Sequence, residues 1–130
     1  MSSRTNISTG LVYEHEVGYS RAVRIGNIIE VSGTVAADEN GNLVGGDDAY
    51  LQTKFILLKI EKALIQAGAT LKDIIRTRMF VTDISKFKEY GRAHGEVFTN
   101  IRPCTSMLEV KGLVRPEYLI EIEATAVIEM

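Results

Sequence analysis

The chain has a single cysteine, Cys104, so an internal disulfide is impossible and a cysteine-based metal site lacks ligands. Clusters of basic residues are missing too. The 15 lysines and arginines are interspersed with 17 acidic residues at a net charge of −2, without the electrostatic footprint of a nucleic-acid binder or a juxtamembrane tag. Neither nucleic acid nor a membrane is an expected partner. The first residues have no apolar run of the kind a secretory signal needs, and with one cysteine the expected setting is a reducing cytoplasm. His15 and His94 have no His-x-x-x-His spacing, so they are read as surface or structural histidines, and no metal or cofactor is expected. Repeats and linkers are absent as well, and 130 residues at 45% hydrophobic content fit one domain spanning residues 1–130.

What the chain does have is a strongly alternating strand near its end. Ile120, Ile122, Ala124 and Ala126 alternate with Glu121, Glu123 and Thr125, the period of a strand with one buried and one polar face. Two carboxylates therefore point the same way, and they need cations, donors, water or a partner subunit. Upstream, residues 11–17 and 20–25 read as a first strand pair, Gly26-Asn27 as a two-residue turn, and 28–34 as the next strand. A polar, glycine-rich loop over 36–47 leads to a helix capped by Asp47 or Asp48. That helix runs through Ala67 to a stop at Gly68, and its Leu51, Phe55, Leu58 and Ile65 recur at helical spacing as the stripe to pack on a sheet. Residues 73–82 form a strand with Ile75, Thr77, Met79 and Val81 on one face and Arg76, Arg78 and Phe80 on the other. A second helix begins after Asp83 or Ser85 and ends near Phe98, partly burying Phe87, Tyr90 and Val97, with Gly91 and Gly95 weakening it. The order is that of an α+β sandwich, a sheet with helices on one face.

Several segments together resemble the RidA/YjgF family of small reactive-imine deaminases. They are Gly18-Tyr19-Ser20-Arg21-Ala22-Val23, Gly26-Asn27, Val31-Ser32-Gly33, the run from Arg76 to Asp83, Arg102-Pro103, and Ile120-Glu121-Ile122-Glu123-Ala124. The resemblance implies a chorismate-mutase-like α+β subunit, a mixed sheet with two helices on one face, assembled as a homotrimer with ligand pockets between subunits. It also implies hydrolysis of imines or enamines to oxo acids and ammonia without cofactor. Carried over, the aromatic pocket position is Tyr19, the small strand positions are Ser32 and Gly33, and the water-positioning glutamate is Glu121. The family's carboxylate-gripping arginine, in a Pro-x-Arg-Ser pattern, falls on Thr105 in Pro103-Cys104-Thr105-Ser106. A hydroxyl cannot reproduce bidentate recognition of a carboxylate.

Three cations are candidates to replace it. Arg21 is the first choice, because it lies two residues from Tyr19 and so on the same face; the others are Arg78 on the polar face of its strand and Arg102, if the proline turn redirects it. Met107 shares a strand face with Thr105 and is read as pocket wall or as core. For Arg76, Arg78 and Glu121, ion pairing within the sheet or at an interface stands beside a ligand role. Cys104 is read as a buried, inert thiol. Two functions follow: a deaminase acting on a small, anionic imine or enamine other than the usual imino acids, or a non-catalytic trimeric binding protein that senses or sequesters a metabolite. A third, translation inhibition or RNA cleavage, finds no basic stripe and no acid–base pair of histidines.

Overall fold

A computed structural model describes residues 3–129. The strands are β1 (Arg4–Ile7), β2 (Ala22–Ile25), β3 (Ile28–Thr34), β4 (Ile74–Val81), β5 (Cys104–Glu109) and β6 (Ile120–Val127). The helices are α1 (Val12–Val17), α2 (Ala49–Gln66) and α3 (Phe87–Phe98). The strands form one six-stranded sheet in the order β1-β2-β3-β6-β4-β5. Every pairing is antiparallel except β4 with β5, which are parallel because α3 connects them.

The alternating final strand, β6, lies inside the sheet between β3 and β4. Its Ile120, Ile122, Ala124 and Ala126 are each at most 1% exposed, while Glu121, Glu123 and Thr125 alternate on the half-covered face. The small Ala124 and Ala126 let a helix approach closely, and α2 packs across β3 and β6. Asp48 caps α2, its carboxylate accepting from Leu51 N at 3.0 Å, and Gly68 follows the helix in the left-handed region at φ 89°.

The stripe of α2 that faces the sheet is not the expected one. Gln52, Thr53, Ile56, Leu57, Ile60, Ala63 and Leu64 are buried, whereas Leu51, Leu58 and Ile65 are 48%, 60% and 61% exposed. Helical spacing alone could not choose, because α2 carries two such stripes and the buried one contains polar residues. Those residues are satisfied locally. Thr53 Oγ1 donates to the Ala49 carbonyl, and the Gln52 amide donates to the Gly46 and Glu117 carbonyls while accepting from Leu119 N. Gln52 thus clamps the glycine loop to the entry of β6.

Three further expectations need correction. Residues 11–17 are not a strand: Val12–Val17 is a short helix, closed by Gly18 at φ 85°, and the edge strand is Arg4–Ile7 instead. Six residues are too few to separate a period of 2 from one of 3.6. Ile75 is not on the buried face of β4, because a register irregularity between Ile74 and Arg76 leaves Ile74 at 2% exposure and turns Ile75 outward. Phe87, the first residue of α3, is exposed, while Tyr90, Ala93, His94 and Phe98 form the buried face.

The exchange of helix faces predicts an asymmetry in stability. Ile60→Ala should cost about 2–5 kcal/mol by urea unfolding. Leu58→Ala, two residues earlier, should change stability by less than about 0.5 kcal/mol in the same experiment.

Candidate functional site

The face of the sheet away from the helices carries the ionic groups. Arg78 Nη1 lies 3.6 Å from Glu123 Oε1, Arg76 Nη2 donates to Ser106 Oγ at 3.1 Å, and Thr125 Oγ1 donates to Glu30 Oε1 at 2.6 Å. The Arg78–Glu123 pair is partly solvated and contributes little to stability. Glu121 differs from these. Among the described residues no hydrogen bond or ion pair holds its carboxylate, and burial raises its pKa; Arg21 opposes the rise and Glu123 adds to it.

Glu121 sits against an irregularity in β3. The β3–β6 register shifts between Val31 and Thr34, and a Cβ placed on Gly33 would lie 2.5 Å from Glu121 Oε2 and 2.8 Å from its carboxyl carbon. Any larger residue at position 33 would require the flexible end of Glu121 to move aside, so glycine lets the carboxylate lie where it does. Ser32, next to it, has its N–H on the Arg21 carbonyl and its hydroxyl on the Ser20 carbonyl at 2.6 Å. Ser20, Ser32 and Tyr19, with Gly18 and His15, line an open hollow of about 500 Å³.

Arg21 is 7% exposed. Its Nη2 donates to the Gly33 carbonyl at 2.5 Å, its guanidinium carbon lies 5.8 Å from the centre of the Tyr19 ring, and its Nε has no partner among the described residues. Burial lowers its pKa against the opposing pull of Tyr19, Glu14 and Glu121. Glu14 is already engaged, with Ser8 and with the backbone and hydroxyl of Thr9. Burial pushes the Glu14 pKa up, but these hydrogen bonds hold it below the ordinary carboxylate range. Arg21 does not line the hollow with Tyr19: it lines a separate groove beside α2. Strand parity fails because β2 begins only at Ala22, leaving Tyr19 and Arg21 in the turn before it.

Thr105 and Met107 share a face, as their spacing requires, but it is the helix face. The Thr77 hydroxyl donates to Thr105 Oγ1 at 2.7 Å and lies 2.9 Å from His94 Nε2, while Met107 packs against the core. Within one protomer the sheet therefore separates Thr105 and Met107 from Glu121. Burial lowers the His94 pKa, favouring the neutral ring. Reading the sequence missed this Thr105–Thr77–His94 chain, although His94 falls four residues after Tyr90 and four before Phe98, on the buried stripe of α3.

Arg102 is exposed at the end of the turn after α3 and is the one described non-glycine residue with positive φ, at 55°. A residue preceding proline normally avoids that region. Its N–H caps the Phe98 carbonyl at 2.8 Å, so the strained backbone closes the helix. Cys104, expected to be buried, is instead exposed, because β5 is the edge strand of the sheet. Among the described residues no group of three or more His, Cys, Asp or Glu could hold a metal ion, and no helix is long and apolar enough to cross a membrane.

A mixed sheet covered by helices on one face and left polar on the other defines an α+β, chorismate-mutase-like protein. Within that class, the chain belongs to the RidA/YjgF family, whose description, Endoribonuclease L-PSP, matches residues 13–128. Its fold superposes with a TM-score of 0.89 on the crystal structure of Rv2704 from Mycobacterium tuberculosis, a member of the YjgF/YER057c/UK114 family. The two are 51% identical, over 97% of this chain and 100% of that one. The 3-aminoacrylate deaminase RutC of Acinetobacter baylyi is 36% identical over 83% of this chain and 85% of its own. A Streptomyces coelicolor protein, SCO2049, is 32% identical over 92% of this chain and 89% of its own.

The closeness of Gly33 to Glu121 yields a test. Gly33→Ala should displace the carboxylate and, because that end of Glu121 is flexible, cost less than about 1 kcal/mol by thermal or urea unfolding. Combining it with Glu121→Ala, which removes the clash, should recover most of that loss.

Proposed function

We propose that the protein is a hydrolytic deaminase of a small imine or enamine, working as a homotrimer with its pocket between subunits. The observation that carries this reading is the Glu121 carboxylate: half-buried, held by no hydrogen bond or ion pair among the described residues, and given its space by Gly33. Membership of the family and likeness to a named deaminase support the same chemistry. In the reaction, Glu121 takes a proton from water as the oxygen attacks the imine carbon. That proton passes to nitrogen to give a carbinolamine; the carbinolamine hydroxyl then gives up its proton through Glu121 to the amine, the C–N bond breaks as C=O forms, and ammonia leaves. One water is consumed for each ammonia released.

The intersubunit pocket accounts for two features of the lone protomer. One is the open polar face of the sheet, and the other is the edge strand β5, whose Cys104, Thr105 and Leu108 are exposed. Setting the β5 edge of one subunit against the polar face of the next brings a partner's Thr105 and Met107 toward Glu121, Tyr19 and Ser32. Arg78, already paired with Glu123, serves the sheet, and Arg21 tunes Glu121 electrostatically. With Thr105 in the arginine position, the substrate's acidic group is bound by hydroxyl donors.

A second reading, a trimer that binds a metabolite without converting it, is favoured by that same threonine, since loss of the bidentate anchor removes orientation as well as affinity. The two readings are separated by ammonia release from imines generated in situ, 2-iminopropanoate and 3-aminoacrylate among them. Under the first, Glu121→Gln should lower kcat by about 10²–10⁴-fold. Thr105→Arg should raise turnover of 2-iminopropanoate by about ten- to a hundredfold, the worth of a charge-assisted contact. Binding of these compounds with no ammonia released by either the wild type or Thr105→Arg would assign the second.

A further inference from the structure

The groove beside α2 is separate from the sheet-face hollow and serves no step of the deamination. It is a cavity of about 570 Å³ between α2 and the loops at residues 8–11 and 37–39, within the size range of small-molecule sites. Its walls divide by chemistry. Phe55, Leu58 and Ala63 give an apolar side, and Leu58 is 60% exposed. Arg21, Lys59 and Lys62 give the cations, while Asp38 and Glu39 stand on the loop.

Two of those cations sit with donors unused. Arg21 is more than nine-tenths buried, makes one hydrogen bond, to Gly33 O, and leaves its Nε without a partner among the described residues. An orphaned donor on a buried guanidinium is costly unless something occupies it. Lys59 Nζ donates to the Val35 and Ala37 carbonyls at 3.0 and 2.7 Å, leaving one of its three protons free. Burial and the nearby Arg21 charge push the Lys59 pKa down to about 8, with Asp38 opposing, so an anion beside it would be welcome. Asp38 offsets this only in part: its Oδ1 accepts from Asn40 N and Asn42 N within its own turn, and it forms no ion pair with Lys59 among the described residues.

We propose that this groove binds a small organic acid, its carboxylate received by Arg21 and Lys59 and its apolar body lying on Phe55, Leu58 and Ala63. The site is distinct from the one around Glu121. Because Arg21 joins the two through the Gly33 carbonyl, an acid in the groove also reaches the deamination site electrostatically.

The test is a ¹⁵N NMR titration of the intact protein with hexanoate, with hexan-1-ol as the uncharged control. Shifts should cluster on Ala37, Leu58, Lys59 and Lys62 with a Kd on the order of 1 mM or tighter, and hexan-1-ol should bind at least about tenfold more weakly, in line with loss of a charge-assisted contact. Leu58→Glu keeps the fold, since the side chain is exposed, and should weaken hexanoate by about tenfold or more through like-charge repulsion. Arg21→Gln should do the same. The proposal is overturned if hexanoate causes no shifts in the groove, if Leu58→Glu binds it as well as the wild type, or if the shifts fall only on Tyr19, Ser20 and Ser32. That last outcome would assign the acid to the sheet-face site and leave the deaminase reading standing; groove binding in a protein that releases no ammonia would do the reverse.

Discussion

Strand β6 must be buried on one face and ionic on the other, and the remaining structure answers that constraint. Its apolar residues are sealed by α2, and β3 and β4 satisfy its backbone on both sides. A strand enclosed in this way cannot slip by one residue without exchanging Ile122 for a carboxylate in the core, so its register fixes the register of its neighbours. The same alternation forces Glu121 and Glu123 onto the opposite face. Glu123 is paired there with Arg78, whereas no hydrogen bond or ion pair holds Glu121 among the described residues.

The energetic contrast between the two glutamates is the basis of the functional reading. A carboxylate paired across a partly solvated sheet is a structural commitment of small net value. One that is half-buried and held by no hydrogen bond is destabilised in its charged form, and a destabilised base is a better proton acceptor. Gly33 makes this possible by taking its side chain out of the way. Arg21 limits the penalty, since its buried charge is felt by Glu121 across the same bulge. Arginine and glutamate thereby moderate each other's burial without forming an ion pair.

Where one period dominated, the fold was legible in the sequence: β6, the Gly26-Asn27 hairpin, the Asp48 cap and the Gly68 stop all stand where their residues place them. It was illegible where two patterns fit the same residues, as in the short helix Val12–Val17 and the two apolar stripes of α2. The site followed the same rule. Glu121, Ser32 and Gly33 were named together only by the family resemblance, and they lie on paired strands that no local period announces; the position of Arg21 depended on a turn and a bulge that no periodicity encodes either. Thr105 could be assigned its strand, but its facing toward Thr77 and His94 depends on the parallel β4–β5 register, which is a tertiary property.

The most direct measurement of the central claim is a ¹³C NMR titration of the Glu121 carboxyl. Burial without a paired cation predicts a pKa above the ordinary value of 4.5, and Arg21→Gln should raise it further by removing the one charge that opposes the shift. A Glu121 pKa at or below 4.5, or one that Arg21→Gln lowers or leaves unchanged, would show a carboxylate already held in its charged form and would contradict the account.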